Sequence, residues 1–300
     1  MIVNADCIEH LKTIEDNYFD SVVTDPPYHL TSIAKRFTNS TEAKYGKDGS
    51  FQRLSKGFVG HEWDGGDIAF TTDLWKEVYR TIKPGAVLLA FAATRNYHRM
   101  ATAIEDSGFE IFDMINWIYG SGFPKRKNLL KPAHEPIVMA RKGVNKDLNL
   151  DESRVLIDEN DNPNNWHSNR TKQIYDNTEN IFKLGMKNIS SKQDEKGRWP
   201  ANVIHDGLEE NWSKYFYCSK ASKKEKGDTK HPTVKPLELM RYLVKLITPK
   251  DGIVLDPFAG TGTTGEACTL EGRNYYLIEK TKEYIPDIEN RINKYGRLGI

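Results

Sequence analysis

A glycine-rich loop near the C-terminus restricts the fold of this 300-residue chain more than any other stretch. Gly252 to Leu255 is an apolar run that predicts a strand, and the loop Asp256-Pro257-Phe258-Ala259-Gly260-Thr261-Gly262-Thr263-Thr264-Gly265 follows it. A helix to about Leu270 and a strand from Asn274 to Ile278, ending in Glu279, complete the unit. Glycines let a backbone approach a ligand, and an acid after the second strand can accept hydrogen bonds from ribose hydroxyls. The unit therefore predicts an adenosine-containing ligand.

This unit is too short to complete a nucleotide-binding sheet, because only about twenty residues follow Glu279. Asp256 and Phe258 stand where a dinucleotide fingerprint begins with glycine. An acid and an aromatic favour a cationic or zwitterionic adenosine ligand, such as S-adenosylmethionine, over a pyrophosphate. The missing strands are available at the N-terminus, where Met1 to Val3 predicts a strand. We therefore expect one doubly wound α/β sheet whose segments occur in permuted order along the chain.

A second candidate site follows the strongest early strand signal. Phe19 to Thr24 is a β-branched run that predicts a buried strand, and Asp25-Pro26-Pro27-Tyr28 comes directly after it. Two prolines prevent both a continued ladder and an immediate helix, so the chain must turn at the carboxyl edge of the sheet. A carboxylate, a Pro carbonyl and an aromatic ring at this turn can bind a planar base that carries an amine. The alternative is a turn with a packing tyrosine.

Helices and strands alternate through most of the remaining chain, which predicts a mostly parallel sheet covered on both faces. The predicted helices are Cys7 to Ile14, Thr72 to Ile82, Asn96 to Ser107, Pro236 to Ile247 and about Lys282 to Lys294. The further predicted strands are Val87 to Ala92, Ile111 to Ile118 and Ile137 to Ala140. We expect the Asp25 turn one strand beyond the glycine loop, across the switch point of the sheet.

Two stretches lack this periodicity. Residues 29–66 interleave basic and aromatic side chains, as is typical of a mobile lid over single-stranded or flipped nucleic acid, although a solvated insertion has the same appearance. Residues 143–230 are rich in asparagine and mixed charge, and they predict an irregular insertion or small second domain. The catalytic domain would then consist of residues 1–142 and 231–300, and residues 143–230 would form a target-recognition region.

Composition limits the class of protein. The net charge of +1 gives no global field for nucleic acid, so such binding would depend on local patches. The longest apolar run, Ala86 to Ala93, is too short to span a bilayer. The three cysteines are widely spaced and form no CxxC pair, which predicts free thiols, no structural zinc and a reducing cytoplasm.

The two loops together resemble the amino-group DNA methyltransferases. Asp25-Pro26-Pro27-Tyr28 is similar to their catalytic motif and Asp256-Pro257-Phe258-Ala259-Gly260-Thr261-Gly262 to their donor-binding motif, and catalytic before donor-binding is the β-class order. Four further stretches resemble the branch common in phages and prophages. They are Trp117-Ile118-Tyr119-Gly120-Ser121-Gly122-Phe123-Pro124-Lys125, Lys131-Pro132-Ala133-His134-Glu135-Pro136, Arg198-Trp199-Pro200-Ala201-Asn202 and His231-Pro232-Thr233-Val234-Lys235-Pro236. His29 departs from the glycine that often follows the tyrosine in that branch.

The resemblance implies a Rossmann-like S-adenosylmethionine-dependent methyltransferase fold and a role for each catalytic residue. Asp25 and the Pro26 carbonyl would accept hydrogen bonds from the exocyclic amine. Pro27 would complete the turn, and Tyr28 would stack on the extruded base.

The resemblance also implies a set of donor-binding residues. Asp256, Phe258, Gly260 and Gly262 would line the methionine part of the donor, and Glu279 would bind its ribose. Two further residues are candidates with structural alternatives. Asp6 would lie near the adenine of the donor, or would only cap a helix. Lys235 would approach the donor, or would be a surface lysine at a helix start.

The activity that this implies is methyl transfer from S-adenosylmethionine to the N6 amine of a flipped adenine in double-stranded DNA, without a metal. Cytosine-N4 transfer uses the same geometry and is the nearest alternative. A catalytically silent DNA-binding module is an alternative of another class, and RNA or a protein amide is a third substrate option. The resemblance implies the cytoplasm of a bacterium or phage-infected cell, with no membrane partner. The target sequence, a restriction partner and the oligomeric state, a homodimer among its options, stay open.

Overall fold

The computed structural model describes residues 1–28, 67–120, 130–144, 147–155, 197–207, 217–218 and 234–296. The strands are β1 (Ile2–Asn4), β2 (Phe19–Thr24), β3 (Ile82–Phe91), β4 (Glu110–Ile118), β5 (His134–Arg141), β6 (Val203–His205), β7 (Tyr217–Cys218), β8 (Ile253–Asp256) and β9 (Asn274–Glu279). The α-helices are α1 (Cys7–Leu11), α2 (Thr72–Thr81), α3 (Tyr97–Glu105), α4 (Leu237–Ile247), α5 (Thr263–Leu270) and α6 (Ile285–Gly296). Short 3-10 helices occupy Ile68–Phe70, Asp151–Ser153 and Lys282–Tyr284.

The described strands form one sheet in the order β1-β9-β8-β2-β3-β5-β4-β6-β7. Among the described strands, only β5 runs antiparallel to its neighbours, and all the other pairs are parallel. The C-terminal strands β8 and β9 therefore lie between the N-terminal strands β1 and β2. This confirms the permuted, mostly parallel sheet, and it places the end of β2 beside the end of β8.

Helices cover both faces of the sheet. Side chains of α1, α2 and α3 pack against one face, where Trp75 and Phe19 are fully buried. Side chains of α4 and α5 pack against the other face, around Phe91 and Tyr242. Successive residues of β3 alternate between the two cores, as expected for a strand that is buried on both sides. Helix α6 packs through Ile288 and Ile292 on the glycine-loop end of the sheet.

One predicted boundary differs from the structure. The predicted helix ends at Ile82 and the predicted strand begins at Val87, but β3 begins at Ile82 and includes the intervening Pro84 and Gly85. The register with β2 shifts between Phe19 and Ser21, where β3 has extra residues, as in a β-bulge or a similar irregularity of the ladder. Gly85 has a φ of +78° there. A bulge tolerates proline and glycine because the ladder is interrupted at that point.

Part of the predicted insertion belongs to the same sheet. Strand β6 pairs in parallel with β4, and β7 pairs in parallel with β6. Asn149 donates two hydrogen bonds from its side chain to carbonyls at the end of α4, and Val155 pairs with Arg198. The described parts of residues 143–230 therefore extend the sheet beyond β4 or pack against α4. Three-residue strands carry too little periodicity to be found by sequence alone.

The candidate lid at residues 29–66, which includes His29, lies outside the described residues. Within the described ranges, no helix has the length and apolar content that crossing a membrane requires. The same ranges contain no cluster of three or more His, Cys, Asp or Glu side chains arranged to hold a metal ion.

Candidate active site

The two sequence motifs meet at the carboxyl edge of adjacent strands. Ser21 and Val22 of β2 pair with Val254 and Leu255 of β8, so the Asp25 turn and the glycine loop leave the sheet side by side. Thr24 donates a buried hydrogen bond from Oγ1 to Asp256 Oδ1 at 2.8 Å. The motifs are 232 positions apart in the chain, and the permuted topology brings them into direct contact.

A partly buried ion-pair cluster lies at the Asp25 turn. Lys235 Nζ is 2.7 Å from Asp25 Oδ2 and 3.2 Å from Glu135 Oε2. The Lys235 side chain is only 10% exposed. Burial by itself would lower the pKa of Lys235, but the charges of Asp25 and Glu135 outweigh burial and raise that pKa. Lys235 therefore stays an ammonium at physiological pH.

Asp25 has one oxygen engaged and one available. Oδ2 accepts the contact from Lys235, whereas Oδ1 is buried and has no hydrogen-bond partner among the described residues. A buried carboxylate oxygen without a donor is costly in a folded protein unless a ligand or water completes it. This oxygen is an acceptor positioned at the edge of the sheet where ligands of α/β proteins bind.

Tyr28 is held at both its backbone and its hydroxyl. Its carbonyl accepts a hydrogen bond of 2.7 Å from Asn96 Nδ2, and its hydroxyl donates to Glu135 Oε2 at 3.1 Å. Lys235 Nζ is 3.1 Å from the same hydroxyl and 5.3 Å from the ring centroid, so it lies towards the hydroxyl end of the ring. Burial and the negative charges of Asp25 and Glu135 raise the pKa of Tyr28 well above its ordinary value, which keeps the phenol neutral.

The carboxyl of Asp256 bonds inside the protein. Oδ1 accepts from Thr24 and from the Phe258 backbone N–H, and Oδ2 accepts from Thr264 Oγ1 at 2.6 Å. Burial raises the pKa of Asp256 to about 6, although these hydrogen bonds favour the charged form. In this arrangement Asp256 holds the start of the glycine loop and ties it to β2.

The glycine loop has the conformation that its glycines allow. Gly260 and Gly262 have φ values of +53° and +81°, and Gly262 N donates to Ala259 O in a tight turn. A Cβ at Gly262 would lie 2.8 Å from Cγ2 of Ile288 in α6. Gly262 is therefore required by the packing of α6 as well as by the turn. Phe258, which is partly buried, packs on the core face formed with α1, α2 and α3.

Glu279 joins the loop to the end of β9. Its Oε2 accepts from Gly260 N at 2.8 Å and its Oε1 from Thr281 N at 2.7 Å. Burial raises the pKa of Glu279, and the backbone N–H groups oppose that shift. Each carboxylate oxygen retains a further lone pair that can accept from a ribose hydroxyl.

Asp6 lies at the same edge, after β1. Asn4 of β1 pairs with Glu279 of β9, which brings Asp6 to the carboxyl edge next to the glycine loop. Asp6 Oδ1 caps α1 by accepting from Ile8 N and Glu9 N, and Oδ2 is 3.0 Å from Lys280 Nζ. The helix-cap alternative is therefore present in the structure. It leaves a donor contact at this position as a prediction.

The structure places one candidate, Lys235, away from its expected position and brings two further residues, Glu135 and Asn96, to the site. Lys235 was considered for the donor site, but its ammonium lies on Asp25, Glu135 and Tyr28. Glu135 and Asn96 were not considered as site residues. Because β5 runs antiparallel, its N-terminal residues reach the same edge as the C-terminal ends of its neighbours. No periodicity in the sequence could indicate that reversal, and only the stretch Lys131 to Pro136 carried a signal.

Comparison with known proteins decides the family. The DNA methylase family of N6 and N4 amino methyltransferases matches residues 19–290. The chain belongs to this family. It is thus a DNA methyltransferase that uses S-adenosylmethionine, and the resemblance to the amino-group DNA methyltransferases is confirmed. The phage and prophage branch stays a prediction.

Curated relatives match this chain over nearly its whole length. It is 27% identical over 314 residues to Type II methyltransferase M.HindIII of Haemophilus influenzae, covering 97% of this chain and 94% of the relative. It is 26% identical over 295 residues to Type II methyltransferase M.HpaI of Haemophilus parainfluenzae, covering 97% of this chain and 74% of the relative.

Solved structures show the fold. The PvuII DNA methyltransferase, described as cytosine-N4-specific, superposes with a TM-score of 0.57 at 18% identity, over 97% of this chain and 85% of that one. The complex of M1.HpyAVI with S-adenosylmethionine superposes with a TM-score of 0.53 at 19% identity, over 97% and 98%. Both likenesses support the Rossmann-like methyltransferase fold.

The residues present fit the donor. The carboxylate of Glu279 offers acceptors for ribose hydroxyls, and Gly260 and Gly262 have the left-handed backbone of a loop that admits a ligand. When bound, S-adenosylmethionine supplies an electrophilic methyl group on a sulfonium centre.

Proposed function

We propose that this DNA methyltransferase transfers a methyl group from S-adenosylmethionine to the exocyclic N6 amine of an adenine flipped out of duplex DNA. The observation that carries the proposal is the available Oδ1 of Asp25, a buried acceptor beside the glycine loop. An exocyclic amine has two N–H donors, and it needs acceptors at a position that faces the methyl donor. Asp25 Oδ1 and the Pro26 carbonyl supply them.

The chemistry follows from the state of the amine. Its lone pair is delocalised into the base, which makes the nitrogen a poor nucleophile. Hydrogen bonds to Asp25 Oδ1 and the Pro26 carbonyl favour a tetrahedral nitrogen and localise that lone pair. As the N–C bond forms, the bond from sulfur to the methyl group would break and S-adenosylhomocysteine would leave. The nitrogen becomes cationic, and the Asp25 carboxylate stabilises that charge until an N–H proton is lost to solvent. Positioning and electrostatic stabilisation account for the rate.

Tyr28 is proposed to hold the base. A base inside a duplex cannot reach a pocket behind the sheet edge, so it must leave the stack at a cost of a few kcal/mol. Stacking on an aromatic ring contributes about 1–3 kcal/mol per base, which can offset that cost. Asn96 and Glu135 fix the backbone and hydroxyl of Tyr28, so the ring is ordered before the base arrives.

The donor-binding roles are part of the same proposal. Glu279 accepts hydrogen bonds from the ribose, the loop from Phe258 to Gly262 approaches the methionine part, and Asp6 lies near the adenine. Asp256 acts by holding the loop, since both of its oxygens bond within the protein. Residues 143–230 are proposed to read the target sequence, and the lid at 29–66 to cover the substrate.

Adenine is preferred over cytosine because the catalytic motif opens with Asp25, whereas cytosine-N4 enzymes more often open theirs with serine. The fold shared with the cytosine-N4-specific PvuII enzyme makes cytosine the nearest competitor. Both amines require the same two acceptors, so the base identity must be measured.

The test is incubation with methyl-labelled S-adenosylmethionine and unmethylated DNA, followed by digestion to nucleosides. Label in N6-methyl-2′-deoxyadenosine is the expected result. Label only in N4-methylcytosine would replace adenine by cytosine and keep the mechanism. DNA binding with no label in any nucleoside would contradict methyl transfer and favour a silent binding module.

A further inference from the structure

The Lys235 ammonium contacts three oxygen acceptors among the described residues, and it also lies 4.8 Å from the centroid of the Phe91 ring. Its three acceptors are Asp25 Oδ2 at 2.7 Å, Tyr28 Oη at 3.1 Å and Glu135 Oε2 at 3.2 Å. A lysine ammonium has three N–H donors, so each donor has one acceptor. These acceptors come from the catalytic turn and from the start of β5. Lys235 therefore fixes the relative positions of two separate chain segments.

The contact with Lys235 selects the working oxygen of Asp25. A carboxylate that pairs through Oδ2 with a buried cation loses its freedom to exchange its two oxygens. Oδ1 of Asp25 then stays directed away from the ammonium and available to a ligand. Misplacement of a reacting group by about 1 Å can cost about 100-fold in rate, so this orientation matters for transfer.

Glu135 adjusts the charge of the site. An ammonium paired with Asp25 alone would cancel the negative charge beside the target amine. With Glu135 included, the cluster formally carries two negative charges and one positive charge. The remaining negative charge stabilises the nitrogen as it becomes cationic, and a buried site makes such stabilisation stronger than in water.

We propose that Lys235 and Glu135 are a coupled pair of positioning residues for methyl transfer. Lys235 directs Asp25 Oδ1 towards the target amine, and Glu135 offsets the charge of Lys235 so that the site stays negative. This inference rests on the proposed transfer to an exocyclic amine. It gives Lys235 a role on the base side of the site, whereas the sequence resemblance implied one on the donor side.

The experiment measures single-turnover methyl transfer to unmethylated DNA at saturating labelled donor, with donor and DNA affinities measured separately. The variants are Lys235→Met, Glu135→Gln and the double variant. The matched control is Lys83→Met, because Lys83 forms a 2.7 Å ion pair with Asp20 at the opposite end of β2.

Each single variant is expected to slow transfer about 10- to 100-fold, with donor and DNA affinities within about two-fold of the wild type. The Lys83→Met control is expected to transfer at the wild-type rate. The double variant removes one positive and one negative charge, which restores the formal charge of the cluster. It is therefore expected to transfer faster than the product of the two single effects would give.

Three results would overturn the inference. One is a wild-type transfer rate for Lys235→Met. Another is weakened donor affinity with an unchanged rate at saturating donor, which would return Lys235 to the donor site. The third is a double variant whose effect equals the product of the single effects. If Lys235→Met does not fold, Lys235→Arg replaces it, and a wild-type rate there would equally contradict a specific three-acceptor contact.

The wild-type enzyme separates this inference from the proposed function. If the wild type places no label in any nucleoside, then methyl transfer itself fails, and the role of the pair fails with it. If the wild type is active and the variants are unaffected, only the role of Lys235 and Glu135 is rejected.

Discussion

Thr24 Oγ1 donates a hydrogen bond of 2.8 Å to Asp256 Oδ1, and this contact joins the last residue of β2 to the last residue of β8. Thr24 is fully buried and Asp256 is 3% exposed. The residue after Thr24 is the proposed amine acceptor, and the residues after Asp256 form the glycine loop. The two halves of the site are therefore held together by a side-chain contact as well as by the sheet.

Replacing Thr24 by valine tests this link. Valine has the same shape but no hydroxyl, so Asp256 loses one donor in a buried position. We expect the free energy of unfolding to fall by about 1–3 kcal/mol, because a hydrogen bond to a buried carboxylate is lost. Urea denaturation of the wild type and the variant measures this change in the free energy of unfolding. Thr13→Val is the control, since the hydroxyl of Thr13 bonds to His10 O at an exposed position. Equal effects for both variants would contradict a special role for Thr24.

The buried Asp256 predicts a pH-dependent stability. Burial raises its pKa to about 6 in the folded protein, well above the ordinary pKa of an aspartate. The folded state therefore binds the proton more tightly than the unfolded state does. Proton binding at Asp256 therefore stabilises the folded state fully below about pH 4. This stabilisation is lost as the pH rises to about 6, and it is absent at higher pH.

Asp256→Asn removes this titration. We expect the stability of the variant minus that of the wild type to increase by about 2–3 kcal/mol between pH 4 and pH 7, measured by urea denaturation at each pH. The same difference for the exposed Asp106→Asn is expected to stay within about 0.5 kcal/mol. A flat difference for Asp256→Asn would show that its carboxyl titrates normally.

Asp25→Ala separates the amine acceptor from the donor site. We expect methyl transfer to fall by at least about 100-fold, because the variant loses the acceptor beside the nitrogen. Donor affinity is expected to survive, since Asp25 faces the base side and the donor residues lie on β8 and β9. Radiolabel transfer and equilibrium donor binding measure the two effects. Asp20→Ala, at the other end of the same strand, is the control, and loss of donor binding in Asp25→Ala would contradict the assignment.

Gly262 has two structural requirements that variants can separate. Its φ of +81° disfavours any side chain, and a Cβ would approach Ile288 Cγ2 to 2.8 Å. Gly272 has a similar φ of +65°, but nothing lies within 4 Å of a Cβ there. We expect Gly272→Ala to cost about 1–2 kcal/mol from backbone strain, and Gly262→Ala about 1–3 kcal/mol more from overpacking.

The variants Gly262→Ala and Gly272→Ala are also expected to differ in their affinity for the donor. Gly262→Ala is expected to weaken S-adenosylmethionine binding, since displacement of α6 moves the glycine loop, whereas Gly272→Ala is expected to leave it unchanged. Calorimetric titration with the donor measures both. Wild-type donor affinity in Gly262→Ala would contradict the placement of the donor at this loop.

The sequence by itself determined the architecture and the location of the two motifs. Short runs rich in apolar and β-branched residues located β2, β8 and β9 within about one residue, because strands buried on both faces are rich in such side chains. The strand-loop-helix-strand unit around the glycine loop was expected to join strands from the N-terminus, and the sheet places β1 and β2 on either side of β8 and β9. The Asp25-Pro26-Pro27-Tyr28 turn had to leave the sheet because prolines cannot continue a ladder.

The tertiary structure alone decided which side chains meet at the site. Lys235 precedes a helix and Glu135 lies at the start of an antiparallel strand. Neither position indicates a contact with Asp25 from the sequence alone. Periodicity reports which face of an element is buried, but it carries no information about the direction of a neighbouring strand. The contacts among Lys235, Glu135, Tyr28 and Asp25 arise from long-range packing, so they could be found only once the chain was folded.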